Sequence, residues 1–151
     1  MKDKVLVASA EQSFLQKMLI DKSLEYEMNY VAITPCFRDE KVLDGTHQTY
    51  FMKVELFSMV KYMEIAEALI DLYIRIARMF FESYGLKTKV INTGETRLSI
   101  KSYDIVDRKT GIELGSYAIN RLKNSLYFPD CMWICGTGVA EPRLSYVISR
   151  Q

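Results

Sequence analysis

The chain has 151 residues, of which 49% are hydrophobic and 26% are charged, and its net charge is +1. This balance is typical of a globular protein, and the length predicts a single domain over residues 1–151. The near-zero charge excludes a strong overall field for nucleic acid. No apolar run approaches the ~18 residues of a membrane span, and the opening residues lack the apolar stretch of a signal peptide, so no membrane partner is expected.

The first half of the chain predicts a short strand, a helix, a hairpin and a long helix. Their expected ranges are 4–8, 11 to about 26, 30–37 with 50–57, and 60–84. Apolar residues at helical spacing indicate the first helix, and Asp44-Gly45 supplies turn chemistry in the hairpin loop. A continuous apolar stripe from Met63 to Tyr84 favours core packing over a cofactor site in the long helix.

The second half predicts four more strands and a closing helix. The strands are expected at 87–91, 98–106, 112–118 and 132–135, and the helix from Ala140 onward. Polarity alternates clearly from Leu98 to Tyr103, which is typical of a strand with one buried face. The whole order predicts an α+β fold, an antiparallel β-sheet flanked by helices that lie on one side.

Functional side chains concentrate between Thr34 and Glu55. Arg38 and Glu40 are two residues apart, so on an extended strand they point to one face. His47 and Phe51 follow where the second hairpin arm begins. A site for an adenylate needs a fixed cation near the α-phosphate, an acceptor for the adenine amino group and an aromatic ring beneath the base. This segment offers all three.

The same segment resembles motif 2 of the class II aminoacyl-tRNA synthetases, which reads Phe-Arg-x-Glu, a loop, His or Arg, three residues and Phe. Its flanks are similar to seryl-tRNA synthetase in particular. That family has a Thr-Pro-Cys-Phe-Arg run, as at 34–38 here, and ends the motif with Phe-x-Lys-Val-Glu, as at 51–55.

Other segments match the family in the same order, so the resemblance covers about residues 5–148. Ser9-Ala10-Glu11 resembles its Thr-x-Glu loop, and Glu113-Leu114-Gly115-Ser116 resembles its Glu-Ile-Ser-Ser element. The run from Gly136 to Arg143 resembles motif 3, a Gly-rich strand that turns into a helix. Thr93-Gly94 and the run from Ser102 to Ile105 resemble two shorter family elements, which lie between the Thr-x-Glu loop and the Glu-Ile-Ser-Ser element.

The resemblance implies a site for ATP and Mg²⁺. Arg38 would bridge the α-phosphate and the substrate carboxylate, and Arg143 would stack on adenine and touch the γ-phosphate, so these two are the expected catalytic residues. Glu113 and Ser116 would hold the metal. The full expected ATP set is Arg38, Glu40, His47, Phe51, Glu113, Ser116, Gly138 and Arg143.

The resemblance also implies a pocket for a small amino acid. Its expected residues are Ser9, Glu11, Arg38, Glu55 and Thr137. Serine is favoured because the flanks of motif 2 are seryl-like, while alanine, glycine and threonine stay open. Three departures bear on this choice: Ser9 replaces Thr, Gly115 replaces Ser, and Tyr117-Ala118-Ile119-Asn120 replaces Cys-Ser-Asn with the Asn one place late.

The three cysteines favour a reducing, cytoplasmic location, because an odd count without a disulfide framework is typical there. We expect Cys36, Cys131 and Cys135 to be buried, inert thiols. Some seryl enzymes hold zinc with two Cys and a Glu. Here Glu55 and Cys135 could fall near those places, but Ser9 would be the third ligand and a hydroxyl binds zinc poorly.

Two functions follow from these expectations. The first is an enzyme that activates a small amino acid as its adenylate and passes it to tRNA or a carrier-type acceptor. The second is a degenerate synthetase-like module that binds nucleotide, amino acid or a synthetase partner. Motif 1, the family's dimer element, has no counterpart in these 151 residues. Any oligomer is therefore expected to use another face, and the chain is expected to be a truncated catalytic core.

Overall fold

The structure is a computed structural model that describes residues 6–121 and 131–151. Its strands are β1 (Asn29–Phe37), β2 (Tyr50–Val60), β3 (Thr88–Asn92), β4 (Ser99–Asp107), β5 (Glu113–Arg121) and β6 (Met132–Glu141). Its helices are α1 (Glu11–Gln16), which continues as a π-helical turn (Lys17–Asp21), α2 (Met63–Ser83) and α3 (Arg143–Ile148). The strands form one sheet in the order β1-β2-β6-β5-β4-β3, and every neighbouring pair is antiparallel. The expected α+β fold is confirmed.

The largest part of the core lies between the sheet and α2. Residues of α2 at helical spacing are buried, among them Ile70, Tyr73 and Phe81, and they pack on Tyr117 and Ile134 of the central strands. Most of the predicted core stripe is therefore confirmed, although two of its members, Phe80 and Tyr84, are exposed. Gly85 adopts a positive φ of 80° and its N–H bonds the carbonyl of Glu82, which ends the helix as expected.

The opposite face of the sheet carries α1 and a second apolar cluster. The ring of Phe14 on α1 stacks on Phe57 of β2 with centroids 4.8 Å apart, and Met59 and Trp133 complete the layer. The expectation of helices on one side only is therefore wrong. Alternate residues of β2 and β6 place large apolar side chains on both faces, and each face needs its own cover.

Several element boundaries differ from the expected ones, including the end of β2 at Val60, the start of α2 at Met63 and the end of β5 at Arg121. The first helix ends at Asp21, because Lys22 turns into the left-handed region with φ 51°. The expected strand at 4–8 falls partly on residues 1–5, which lie outside the described part of the chain, and residues 6–8 are not a strand. Val7 nevertheless accepts a hydrogen bond from the Phe37 N–H at 2.9 Å, which ties this segment to the outer edge of β1.

Strand β6 is longer than expected and runs through the Gly-rich segment to Glu141. On one side β6 pairs with β2 as far as Met52, and on the other side it pairs with β5 as far as Tyr117. Gly136 therefore lies between two strands, whereas residues 137–140 lie beside β2 alone. The closing helix accordingly begins at Arg143, directly after Pro142. Within the described residues, no helix is both long and apolar enough to cross a membrane.

Candidate active site

A cavity of about 300 Å³ opens on the α1 face of the sheet, where β1, β2, β5 and β6 meet the start of α3. Most of the side chains expected from the sequence line it. Those residues are Glu11, Arg38, Phe51, Glu55, Glu113, Ser116, Thr137 and Arg143. Lys53, Ala118, Cys135, Gly136 and Ala140 complete the lining. Residues from widely separated parts of the chain therefore share one polar cavity.

A β-bulge in β5 places both expected metal ligands in this cavity. Glu113 and Ser116 are three residues apart, so a regular strand would send them to opposite faces. Glu113 pairs with Val106 while Gly115 pairs with Ile105, which leaves Leu114 as the extra residue of the bulge. The extra residue shifts the alternation by one, and both side chains face the cavity.

A second bulge does the same in β6. Glu55 pairs with Thr137 and Val54 pairs with Val139, so Gly138 has no partner on β2. Thr137 and Ala140 therefore both line the cavity although they are three residues apart. Gly138 itself is not part of the lining, and a Cβ atom there would meet Val54 at an ordinary 3.6 Å.

Gly136 is small for a different reason. A Cβ atom on it would lie 2.3 Å from the ring of Tyr117, which is fully buried on the α2 side of the sheet. The Tyr117 hydroxyl donates a hydrogen bond to the Thr137 carbonyl at 2.6 Å, which fixes the ring across the strand. The departure from the family pattern at Tyr117 is thus a core feature, accommodated by the neighbouring glycine.

One end of the cavity holds the two expected catalytic arginines. Arg143, the first residue of α3, pairs with Glu113 at 3.1 Å. The guanidinium carbon of Arg38 lies 5.2 Å from the centre of the Phe51 ring. This stacking is a cation–π contact and occupies the ring face that was expected to receive adenine. A planar base entering here would replace one flat partner of Phe51 with another.

A smaller cleft adjoins the cavity between the hairpin loop and α3. Glu40, expected at the adenine amino group, lines it together with Gln48, Phe51 and Pro142. The cleft therefore has an aromatic floor, a carboxylate and an amide, which are groups suited to a heteroaromatic base.

His47, the only His in the chain, does not line either space. Its Nδ1 contacts Asp44 at 3.1 Å, and its side chain is half-exposed. Hydrogen bonds from the Thr46 N–H and hydroxyl and from His47 hold the pKa of the Asp44 carboxyl well below its usual value. The acidic residue thus organises the tip of the hairpin loop, and the role of His47 at a phosphate stays a prediction.

The other end of the cavity contains Glu55, which is 5% exposed. Its carboxylate accepts hydrogen bonds from the Ser9 hydroxyl at 2.5 Å, from the Lys53 ammonium at 2.8 Å and from the Ala10 N–H. Sequence reasoning missed Lys53 as a site residue. The signal was present, because Phe51, Lys53 and Glu55 alternate along one strand and share its face.

Glu11 forms a second, different carboxylate site. Its Oε1 accepts hydrogen bonds from Trp133 Nε1 at 2.7 Å and from Asn120 Nδ2 at 3.1 Å. Sequence reasoning missed Trp133, and it noted Asn120 only as displaced by one place. Even numbering puts Asn120 on the same face of β5 as Ser116 and Ala118, so the displaced amide still reaches the cavity wall.

The cysteines divide into two groups. Cys36 and Cys131 are buried, as expected, whereas Cys135 lines the cavity. Burial, together with the nearby charge of Glu11, raises the pKa of the Cys135 thiol well above its usual value, so the thiol is protonated at neutral pH. Among the described residues no three His, Cys, Asp or Glu side chains converge as a metal site. Glu113 and Ser116 fit Mg²⁺, as a hard carboxylate and a hydroxyl that share the cavity with room for phosphate oxygens.

Two of the segments that resemble the family lie elsewhere. Thr93-Gly94 and the run from Ser102 to Ile105 belong to the β3–β4 hairpin and contribute no side chain to the cavity. Their match to the family therefore concerns the sheet and not the site.

No family model and no curated protein matches the chain. Solved structures do match it. The cytoplasmic serine-tRNA ligase of Naegleria fowleri in complex with AMP has a TM-score of 0.75 at 19% identity, over 100% of this chain and 43% of that one. The seryl-tRNA synthetase of Pyrococcus horikoshii complexed with ATP has a TM-score of 0.73 at 20% identity, over 98% of this chain and 39% of that one.

The pyrrolysyl-tRNA synthetase PylSc of Desulfitobacterium hafniense has a TM-score of 0.67 at 14% identity, over 96% of this chain and 50% of that one. The chain therefore has the catalytic-core fold of the class II aminoacyl-tRNA synthetases, as the motifs indicated. It spans about two fifths of the length of the two seryl enzymes.

Proposed function

We propose that this chain condenses a small amino acid, with serine favoured, with ATP to form an aminoacyl-adenylate and pyrophosphate. The observation that carries the proposal is the shared cavity, in which two arginines, a carboxylate–hydroxyl pair and an amino acid-sized polar end occur together. The fold supports it, since two solved structures of the same fold are complexes with AMP and with ATP.

The chemistry asks only for positioning and charge stabilisation. A carboxylate oxygen of the amino acid attacks the α-phosphorus, and the bond from that phosphorus to the bridging oxygen of pyrophosphate breaks. Arg38 lies where it can leave Phe51 and meet the charge that develops on the α-phosphate, and its planar fork suits phosphate and carboxylate together. No protein nucleophile is required.

Arg143 and the two expected metal ligands, Glu113 and Ser116, would act at the leaving group. Arg143 can exchange Glu113 for a phosphate oxygen, and the released Glu113 and Ser116 would then hold Mg²⁺. The metal, when bound, would neutralise charge on the phosphates. The adenylate would pass to tRNA or to a carrier-type acceptor. A reducing, cytoplasmic compartment fits the three free thiols.

Pyrophosphate exchange tests the proposal. Labelled pyrophosphate should enter ATP in the presence of Mg²⁺ and serine, at a higher rate than with threonine, alanine or glycine. Alanine would leave unpaired the protein group that bonds the serine hydroxyl. An unpaired buried polar group penalises a substrate more than a change of one methylene group does. Exchange that is fastest with a large apolar amino acid would contradict the seryl assignment.

A binding module is the second candidate, and one observation favours it. Several groups of the cavity are already paired with one another, as in Arg143 with Glu113 and Lys53 with Glu55. A module that only binds would give no exchange with any common amino acid while the folded chain still bound ATP or an amino acid in calorimetry. That combination of results would replace the enzyme by the module.

A further inference from the structure

Helix α2 has apolar side chains on two faces. One face packs on the sheet and supplies the core residues Ala66, Ile70, Tyr73, Ile74, Ala77 and Phe81. The outer face carries Leu72, Ile76, Met79 and Phe80, which are 37% to 65% exposed. Single exposed apolar residues are common on proteins, but a contiguous stripe of them along one helix indicates an interaction surface.

The stripe has the spacing of a seam between paired helices. Ile65, Leu69, Leu72, Ile76 and Met79 follow one another at intervals of four, three, four and three residues. Helices that pack side by side insert side chains at this spacing between those of the partner helix. Ile65 and Leu69 are partly covered by the core, so the open part of the seam begins at Leu72. The occupant that fits this surface is another helix.

The charges beside the seam are self-complementary. Arg75 and Glu82 are seven residues apart, about two helical turns, so they lie on the same flank of α2. Both line a groove of about 350 Å³ along this flank. Arg75 has no ion pair within residues 6–121 and 131–151, and Glu82 uses one oxygen, Oε1, for both Arg78 and the Thr88 hydroxyl. The flank therefore offers a cation and an anion to a partner.

The alignment of two such helices decides whether these charges attract. An antiparallel pair about a two-fold axis places Arg75 of each copy beside Glu82 of the other, which gives two ion pairs. In the same alignment Ile76 faces Met79 of the other copy, and Leu72 faces the small Ser83. A parallel pair in register would instead place Arg75 against Arg75 and Glu82 against Glu82, which is unfavourable.

We propose that the outer face of α2 binds a second copy of this chain, as an antiparallel helix pair about a two-fold axis. The cavity lies on the α1 face of the sheet, opposite α2, so both copies keep it open. The inference therefore goes beyond the proposed function and does not depend on it, since a chain without synthetase activity would still form the pair.

Substitution within the seam tests the surface. The wild type should be a dimer in sedimentation equilibrium at ~100 μM, and Ile76→Asp should raise the dissociation constant at least about tenfold because it buries an unpaired carboxylate. Ile33→Asp is the matched control, since Ile33 is also apolar and exposed but lies on the edge strand β1, and it should leave the dimer intact. A monomeric wild type overturns the proposal. Dissociation by Ile33→Asp but not by Ile76→Asp also overturns it and would place the contact at β1.

Charge reversal tests the alignment. Arg75→Glu and Glu82→Arg each bring like charges together at two positions, so each should weaken the dimer about fivefold. The double variant Arg75→Glu, Glu82→Arg restores both ion pairs with exchanged signs and should return the dissociation constant to within about twofold of the wild type. A folded double variant that binds no better than the single ones overturns the antiparallel alignment. If Glu82→Arg or the double variant does not fold, unchanged affinity in Arg75→Glu overturns it.

Discussion

At the scale of single residues, the site is defined by which charges have partners. Arg38 rests on an aromatic ring and Arg143 on a carboxylate, so the two guanidinium groups differ in what a ligand must displace. An exposed or half-buried stacking contact is worth ~1 kcal/mol, less than a charge-assisted hydrogen bond to phosphate. Arg38 is therefore the cation that a nucleotide recruits at lower cost.

The first prediction concerns this residue. Arg38→Ala should weaken binding of ATP with Mg²⁺ by more than tenfold, about 1.4 kcal/mol, because it removes the cavity cation that stacks on the Phe51 ring. Isothermal titration calorimetry measures the change. Arg78→Ala is the control, since Arg78 pairs with Glu82 on α2 and does not line the cavity. If the wild type shows no nucleotide binding, the site assignment fails.

The second prediction concerns Cys135, whose pKa is raised by burial and by the charge of Glu11. Only the thiolate reacts with alkylating agents, so at pH 8 the folded chain should leave Cys135 unmodified although it lines the cavity. Mass spectrometry after treatment with iodoacetamide measures this. The chain unfolded in urea should be labelled at all three cysteines in the same time. Rapid labelling of Cys135 in the folded chain would show that the thiol is not held protonated.

At the scale of elements, bulges and close approaches between strands shape the cavity. The extra residues Leu114 and Gly138 each reverse the alternation of a strand, which turns polar side chains on both sides of the bulge towards one face. Glycines nearby serve different purposes. Gly136 makes room for the Tyr117 ring, whereas Gly138 has ordinary space around it within the protein.

The third prediction separates these two glycines. Gly136→Ala should lower the free energy of unfolding by about 2 kcal/mol, because the new Cβ would overlap a fully buried ring. Gly138→Ala should leave stability within about 1 kcal/mol of the wild type, because its new Cβ would meet Val54 at an ordinary 3.6 Å. Urea unfolding measures both effects. Equal loss of stability in both variants would refute the distinction.

The fourth prediction concerns the anchor of α1. Glu55→Ala leaves Lys53, whose side chain is 12% exposed, without its counter-ion and releases Ser9 and Ala10 from β2. Breaking one partner of a buried pair typically costs ~3 kcal/mol of unfolding free energy. The double variant Lys53→Met, Glu55→Gln should recover much of that loss, because it removes both charges together. Urea unfolding of the single and double variants decides, and equal stabilities would argue against a structural anchor.

At the scale of the whole molecule, the two ends of the sequence and its centre meet at the cavity. Glu11 near the start bonds Trp133, and the hairpin loop at Gly45 lies against Tyr146 of α3. Thr46 and Gln48 of the same loop line the small cleft that contains Glu40. If this cleft holds the base of ATP, as proposed, the position of the loop against α3 should affect nucleotide binding.

The fifth prediction tests that contact. A Cβ atom at Gly45 would lie 2.1 Å from the Tyr146 ring, so Gly45→Ala should push the loop away from α3. We expect ATP affinity to fall several-fold, about 1 kcal/mol, and proteolysis within residues 41–49 to become faster. The double variant Gly45→Ala, Tyr146→Ala gives the methyl group room and should restore protection of the loop. Unchanged cleavage in Gly45→Ala would show that loop and helix are not coupled.

The sequence by itself determined the order of the strands and helices, the core face of α2 and most of the polar residues that line the cavity. These are local properties, since periodicity and turn chemistry act over a few residues, and the motifs around Arg38 and Arg143 carry their own pattern. The ends of β2, β5, β6 and the first helix and the sidedness of α1 were wrong, because strands end and helices dock where neighbours allow.

Only the tertiary structure decided how the site residues are paired and aimed. The bulges at Leu114 and Gly138 depend on the register of adjacent strands, which the alternation of one strand does not reveal. The contact between Glu11 and Trp133 joins residues 122 positions apart, and Lys53 pairs with Glu55 in a cavity that exists only once the sheet has formed. Contacts over such separations depend on how α1 docks and on the register of the sheet, which local periodicity does not encode.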